Sequence, residues 1–418
     1  MRRIGLVALV FGLALAVPAA ARAQATVHGF AQFNSAFRAT GAECPPEMAC
    51  DVMRGEERVQ LKLELSAPDG RAGALARVDL FHDAIRNDAG VDLREAYVDV
   101  GGRRISARLG RQVVTWGLGD LLFINDVFPK DWVAFLTGAP LEYLKVGSDA
   151  AKVGAYAGAL GAEAIVTPVF AADRAPGPDR LFFFDPMSSI TDRVTERPGT
   201  DFNQMHLAGR VYTRLGRYEV ASYVSKGFFG MPAGRPDHEV PTRLVLSYPR
   251  LNTYGGSLQG PLRAGVFSLE GGYYDSRDDE SGGDPTVENS QTRWLAAYQF
   301  QPQEDLTLAF QYYGELMRQH HAYLRTLPPG LPARDQLRQV TSLRITQLRR
   351  NQTLRLNLFV MGSPTDRDAY VNPSVRYNVT DELWLETGVH VFWGRERHTF
   401  FGQFEQNSGV FLVARYEF

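Results

Sequence analysis

The sequence predicts an all-β protein, a single antiparallel transmembrane β-barrel of about eighteen strands with short periplasmic turns and long extracellular loops. Three observations support this fold class: recurring runs of alternating apolar and polar residues, connections of two alternating lengths, and a final run that ends in phenylalanine. Sixteen or twenty strands also fit the pattern, because strand boundaries inferred from sequence err by a few residues.

The alternating runs have the two-residue period of a strand whose two faces meet different surroundings. In the run 59–66 every odd position is apolar and every even position is polar, and the runs 306–315 and 353–360 repeat the pattern. The predicted strands lie at roughly 26–37, 58–67, 74–82, 91–100, 104–116, 151–157, 162–170, 204–214, 218–227, 252–260, 263–274, 291–301, 305–316, 339–349, 352–361, 369–377, 383–393 and 409–418.

The connections favour a membrane barrel over a soluble β-sandwich. Tight turns occur at 101–103, 215–217, 260–262, 302–304 and 350–351, and long connections occur at 38–57, 117–150, 171–203, 228–251, 275–290, 317–338 and 394–408. Short turns at one end and long loops at the other are typical of bacterial outer-membrane barrels. A sandwich also alternates, but nothing in its architecture would place the long loops at one end.

The N-terminus predicts export. Residues 1–23 have two arginines directly after Met1, continue through an apolar stretch and end in an Ala-x-Ala pattern, which is typical of a cleaved signal peptide. The alternative is an uncleaved anchor helix. Cleavage would leave residues 24–418 as a single barrel domain in the bacterial outer membrane, in contact with its lipids. A formal net charge of −2 argues against nucleic-acid binding.

The C-terminal run 410–418 alternates up to Tyr416 and Phe418. It resembles the terminal strand signal that the barrel-assembly machinery recognises, and aromatic residues are favoured at the membrane interface. We therefore interpret Tyr416 and Phe418 as an assembly signal. The alternative is the plain end of a buried strand.

A distinctive motif begins within the fifth predicted strand. It comprises Gly110-Arg-Gln-Val-Val-Thr-Trp-Gly117 and then Asp120-Leu-Leu-Phe-Ile-Asn-Asp-Val-Phe-Pro-Lys-Asp131. The motif resembles one in a porin-like family of outer-membrane barrels of uncharacterised function, and less specifically it is similar to alginate-export-like barrels. Because some members of the family are associated with RND-type exporters, the resemblance implies a channel or export barrel with an inner-membrane exporter or its periplasmic components as partners. It identifies no substrate.

Few residue patterns suggest a disulfide, a metal site or a catalytic site. Cys44 and Cys50 are close in an exported chain, so a disulfide is favoured over a zinc site, which would need further ligands. Closing so short a loop stabilises by roughly 2–2.5 kcal/mol in the chain-entropy model. We predict no catalytic residues, metal or cofactor, and therefore no enzyme.

Charged residues of the strands must face the lumen, because a charge at mid-membrane costs on the order of 2–4 kcal/mol. This assignment predicts a basic wall and an acidic wall, formed by Arg293, Arg344, Arg355 and Arg376, and by Glu64, Asp79, Glu95 and Asp99, respectively. Cross-strand ion pairs that only hold the wall together are the alternative interpretation.

The longest connection, 117–150, is rich in apolar residues that would be poorly placed in water. We expect it to fold into the lumen or to pack against a neighbouring subunit. Folded inward, its acidic residues would face the basic wall and form a constriction that orders dipolar solutes and slows apolar ones. These residues are Asp120, Asp126, Asp131 and Glu142.

A barrel of this size has a lumen wide enough for transport unless a plug fills it. We therefore predict a channel for small polar solutes or an export conduit. The sequence leaves open whether three copies associate into a homo-trimer, as many porins do. The alternative is a non-channel barrel that binds ligands or catalyses a reaction through its long loops.

Overall fold

The fold is described from a computed structural model, which describes residues 24–41, 43–45, 48–238 and 242–418. The predicted signal peptide, residues 1–23, lies outside the described residues. Within them, none of the helices has the length and apolar character needed to cross a bilayer.

The described chain contains twenty-one strands. They are β1 (Gln24–Arg38), β2 (Val52–Ser66), β3 (Ala72–Asp83), β4 (Asp88–Gly101), β5 (Ile105–Gln112), β6 (Ser148–Ala157), β7 (Leu160–Thr167), β8 (Arg193–Thr195), β9 (His206–Leu215), β10 (Tyr218–Phe228), β11 (Ala233–Pro236), β12 (Leu244–Ser247), β13 (Arg250–Leu262), β14 (Gly265–Ser276), β15 (Gln291–Gln303), β16 (Leu306–Met317), β17 (Leu337–Arg349), β18 (Leu354–Ser363), β19 (Asp368–Asn378), β20 (Leu383–Gly394) and β21 (Gly409–Glu417). Two short α-helices, α1 (Trp132–Leu136) and α2 (His320–Thr326), lie in loops, as do 3₁₀ turns at Leu141–Leu144, Phe202–Gln204 and Gly402–Asn407.

Eighteen of these strands form one closed antiparallel barrel, which confirms the predicted fold class. Each barrel strand pairs with its neighbours along the chain, and β1 pairs with β21 to close the sheet. At the seam the backbone N–H of Gly29 donates to the carbonyl of Phe418 at 2.8 Å, and the reverse bond is 2.9 Å. The remaining strands, β8, β11 and β12, form a small separate sheet within two long loops.

The two faces of the barrel wall follow the sequence alternation. On β2, Val59 and Leu61 are 38% and 46% exposed, whereas Arg58 and Gln60 are 9% and 8% exposed. Large apolar side chains on the outer face suit contact with hydrocarbon, and the polar set faces the interior. Closed pairing also satisfies the backbone groups that no water could reach in a bilayer.

Each predicted run corresponds to a barrel strand, but two boundaries differ in a way that matters for the interior. Strand β2 begins at Val52 rather than near 58, so Arg54 and Glu56 belong to the wall and not to a loop. Strand β5 ends at Gln112 and β6 begins at Ser148, so the longest hairpin connection without strands of its own is 113–147 rather than 117–150. We call it the 113–147 loop.

The long connections all leave the same end of the barrel, because successive strands are antiparallel and the tight turns lie at the other end. At the tight turn 216–217, Gly216 has φ +63°, a conformation that glycine adopts without steric cost. The short-turn end therefore leaves little chain to cover the lumen, whereas the long-loop end carries most of the irregular structure.

Candidate functional site

The candidate functional site is the barrel interior around the 113–147 loop. The carboxylate of Asp120 accepts from Arg344 on β17, with an Nε–Oδ2 distance of 2.5 Å, and the N–H of Asp120 donates to the side-chain oxygen of Gln311 on β16 at 2.7 Å. Near its other end the loop meets β21, where Arg415 pairs with Glu142. The loop leaves β5 and contacts inward-facing side chains on the opposite wall.

One buried carboxylate holds the family-like motif against the wall. Glu270 on β14 is 4% exposed and accepts from the N–H of Leu118 at 2.8 Å, the N–H of Asn125 at 2.8 Å and the side-chain amide of Asn125 at 2.9 Å. Gly117 has φ +82°, and a Cβ there would lie 2.7 Å from Oε1 of Glu270. Glycine at this position therefore permits both the backbone conformation and the close approach.

Two glycines of the barrel wall lie against this contact, so no wall side chain stands between the wall and the loop there. A Cβ added to Gly255 on β13 would lie 1.8 Å from Oδ1 of Asn125, and one added to Gly272 on β14 would lie 2.7 Å from Cγ2 of Ile124. Glycine in a strand often marks a site where other backbone approaches closely. Here the two strands form a depression that seats residues 124–125.

The far end of the loop is held by stacked arginines. The guanidinium groups of Arg58 and Arg94 lie 4.6 and 4.7 Å from the centroid of the Tyr143 ring. Arg94 also donates to the carbonyls of Glu142 at 2.9 Å and Lys145 at 3.1 Å. Cation–π contacts strengthen when they are removed from water, so the buried Arg58 and Arg94 hold this end of the loop against β2 and β4.

The same region contains the predicted acidic wall, and most of its acids are in ion pairs. Asp79 is fully buried and accepts from Arg58 at 2.5 Å and from Gln60 at 2.7 Å. Glu95 pairs with Arg77 at 3.2 Å, and Glu64 pairs with Lys62 at 2.8 Å. Asp99 is half-buried, opposite Arg108 in the register of β4 and β5. Three of the four acids on this side of the lumen are therefore in ion pairs.

Two of the four loop acids form ion pairs with cations of the loops. Asp126 pairs with Lys130 and Lys145 of the same loop. Asp131 caps α1 by accepting from the N–H of Ala134 at 2.8 Å, and it pairs with Arg174 at 3.0 Å. Asp126 and Asp131 thus form their ion pairs with nearer cations on the loops and not with the arginines of the basic wall.

Burial shifts the pKa of two groups that join the loops. Lys130 donates to the carbonyls of Asp126 and Phe128, both at 2.7 Å, and its burial lowers the pKa of the ammonium group. Asp173, in the connection between β7 and β9, accepts from the backbone of Lys130 at 2.8 Å and from the indole N–H of Trp132 at 3.0 Å. Burial raises the pKa of its carboxyl group. Asp173 thus binds the 113–147 loop to the connection between β7 and β9, and Lys130 holds the fold of the 113–147 loop itself.

The basic wall lies on the other side of the lumen. Arg344 pairs with Asp120, Arg376 pairs with Glu386 at 2.6 Å, and Arg293 pairs with Glu315 at 3.2 Å. Arg355 on β18 stands directly opposite Arg376 on β19, and within the described residues no carboxylate lies close enough to form an ion pair with it. Three of the four predicted basic residues are thus neutralised locally, and Arg355 is the exception.

Two cavities lie along this basic wall, one on each side of the 113–147 loop. The outer cavity, of about 500 Å³, reaches the long loops, and the inner cavity, of about 350 Å³, is lined by side chains of β17–β21. Leu121 and Phe135 of the loop line both cavities. They form the partition between the outer and inner spaces.

The first long loop contains the predicted cysteine pair. Cys44 and Cys50 are joined in the structure, with Cα atoms 5.5 Å apart. Over the described residues, no group of three or more His, Cys, Asp or Glu side chains is placed to hold a metal ion.

Sequence reasoning missed three residues that organise this site: Glu270, Arg58 and Tyr143. Glu270 and Arg58 have the inward parity of their strands, but parity alone does not show which inward residue meets a loop. Tyr143 had no signal of its own, since an aromatic residue in an apolar loop is unremarkable.

A family model of a protein of unknown function, DUF1302, matches residues 67–145. The matched region ends within the 113–147 loop and contains the residues that Glu270 and Arg94 hold. Among curated proteins, none matches this sequence.

Several solved structures share the fold at low sequence identity. OccAB3 of Acinetobacter baumannii has a TM-score of 0.56 at 9% identity, covering 95% of this chain and 99% of that one. OccAB1 of the same organism has a TM-score of 0.55 at 9% identity, with 95% and 96% coverage. OccK11 of Pseudomonas aeruginosa has a TM-score of 0.54 at 9% identity, with 94% and 95% coverage. The fold is that of porin-like outer-membrane barrels.

Proposed function

We propose that this protein is an outer-membrane channel that passes small polar solutes along the basic wall of its lumen. The pair of cavities that meet at Leu121 and Phe135 carries the proposal. Eighteen strands enclose a lumen too wide for wall side chains alone to fill. The 113–147 loop and the salt bridges of β2–β4 occupy one side, so the remaining route lies between the loop and β15–β21.

The cellular setting is part of the same proposal. The signal-like residues 1–23, the apolar outer face and the terminal Phe418 support export and insertion into the outer membrane by the barrel-assembly machinery. Assembly as a homo-trimer is proposed because many porins are trimers. A role as the outer conduit of an RND-type exporter rests on the resemblance of residues 110–131 alone.

The channel is tested by its conductance and ion selectivity in a planar bilayer. Replacing Arg344, Arg355 and Arg376 together with alanine removes three positive charges and leaves the carboxylates of Asp120 and Glu386 in the passage. We expect the reversal potential in a salt gradient to move toward cation selectivity, because charges in a narrow passage are poorly screened.

A matched variant replaces three inward arginines away from both cavities, Arg77, Arg108 and Arg214, with alanine. It removes the same charge and should shift the reversal potential much less. An unchanged reversal potential in the first variant, with the barrel folded and conducting, would show that its arginines do not line the route. Absence of conductance in the wild-type protein would favour the alternative of a surface-binding or enzymatic barrel.

A further inference from the structure

The partition between the cavities is apolar. Leu121 and Phe135 line it, and Phe123, Trp132 and Phe401 line the outer cavity beside it. A hydrophobic constriction opposes small ions because they lose hydration there, whereas an apolar body gains by leaving water. The passage therefore opposes a fully polar ion more than it opposes a solute with an apolar part.

The inner cavity is lined by four arginines, Arg344, Arg355, Arg376 and Arg415, and by three glutamates, Glu142, Glu386 and Glu417. Like charges directly opposite each other on neighbouring strands are destabilising, and Arg355 and Arg376 are such a pair. Glu386 neutralises Arg376, but in the described chain Arg355 has no carboxylate partner and is exposed to the inner cavity. An anionic group beside Arg355 would relieve this repulsion.

The arginines of the inner cavity also lie on aromatic faces. The guanidinium of Arg376 lies 3.9 Å from the ring centroid of Trp384, and that of Arg344 lies 4.4 Å from the centroid of Phe359. Both rings and both arginines line the inner cavity. Positive charge and apolar surface therefore stand side by side, which suits a solute that carries both an anionic group and an apolar body.

We infer that the channel selects amphiphilic anions, meaning solutes with a single negative headgroup on a compact apolar body. The apolar body crosses at Leu121 and Phe135 while the headgroup is received by Arg355. This inference rests on the proposed channel function and differs from the sequence expectation of a constriction that slows apolar solutes. That expectation placed Asp126 and Asp131 opposite the arginines, whereas both form ion pairs with cations of the loops.

The test measures permeability ratios of the full-length mature chain in planar bilayers, from reversal potentials with different potassium salts on the two sides. The probes are benzenesulfonate and isethionate, which are permanently charged and differ in having an apolar or a hydroxylated body. We expect benzenesulfonate to be about ten-fold more permeant despite its larger size, the ratio that an energy difference of about 1.4 kcal/mol produces. A passage that sorts by size alone would favour isethionate.

Two variants separate the parts of the inference. Arg355→Gln removes the unpaired charge, and because no ion pair is broken the barrel should fold normally; we expect permeability to both anions to fall relative to potassium. Leu121→Asn makes the partition polar at a position with φ +62°, which asparagine tolerates, and should bring the benzenesulfonate-to-isethionate ratio toward one. Arg214→Gln is the matched control on β9, and it should behave as wild type.

The outcomes distinguish the inference from the proposed function. No conductance in any salt would overturn both. Conductance with isethionate more permeant than benzenesulfonate would overturn the inference and leave the channel standing. Loss of anion permeability in Arg214→Gln equal to that in Arg355→Gln would show that Arg355 is not the receiving group, and an unchanged ratio in Leu121→Asn would show that the partition does not select.

Discussion

Replacement of Glu270 by glutamine should release the 113–147 loop from the barrel wall. Oε1 of Glu270 accepts both donors of Asn125, and Oε2 accepts the N–H of Leu118. A glutamine whose carbonyl replaces Oε1 can keep the two bonds to Asn125, but its amide N–H₂ then faces the N–H of Leu118. A neutral acceptor thus replaces a charged one twice, and one buried donor loses its partner.

The size of the effect follows from these three bonds. Loss of charge on the acceptor weakens each retained bond by about 1 kcal/mol, and the unpaired donor costs about 1–3 kcal/mol. A neutral amide costs less to bury than a carboxylate, which offsets part of this loss. We expect the loop to be held about 3 kcal/mol less tightly, which corresponds to on the order of 100-fold faster local opening.

Hydrogen exchange followed by mass spectrometry reports this opening in peptides that cover residues 113–127. Exchange in strands such as β14 and β15 should stay slow, because the barrel pairing is unchanged. Glu219→Gln is the matched control: Glu219 faces the lumen from β10 but makes no hydrogen bond or ion pair to the loop within the described structure. Unchanged exchange at 113–127 in Glu270→Gln, or equal acceleration in both variants, would refute the assigned role of Glu270.

Two further predictions concern assembly and oxidation. Deleting Phe418 removes the backbone bonds with Gly29 at the β1–β21 seam, so heat-modifiable barrel in the outer membrane should decrease on unheated gels; normal levels would contradict the assembly signal. Alkylation of the native purified protein without reductant should leave the mass unchanged, because Cys44 and Cys50 are joined; two added alkyl groups would contradict the disulfide.

The strands could be predicted because their signal is local. The odd and even positions of 59–66 differ in polarity whatever the rest of the chain does, and a wall between lipid and lumen requires that difference at each strand. Turn length is equally local, so the number of strands and the end that carries the long loops followed from the sequence. The boundary of β2 was less accurate, because Gly55 and Glu57 occupy odd positions where the alternation calls for apolar residues.

The contacts of the 113–147 loop were decided only by the closed barrel. Asp120 and Arg344 are 224 residues apart, and nothing local to either residue shows that they meet. In the sequence, each of the four acidic residues of the loop is an equally good candidate for pairing with the basic wall. In the folded loops, Asp126 and Asp131 pair with nearer cations. Charge pairing depends on distance in three dimensions, and a lumen brings inward residues of all strands within reach of one loop. The sequence therefore determined the barrel, whereas its closure determined which charges of the lumen remain unpaired.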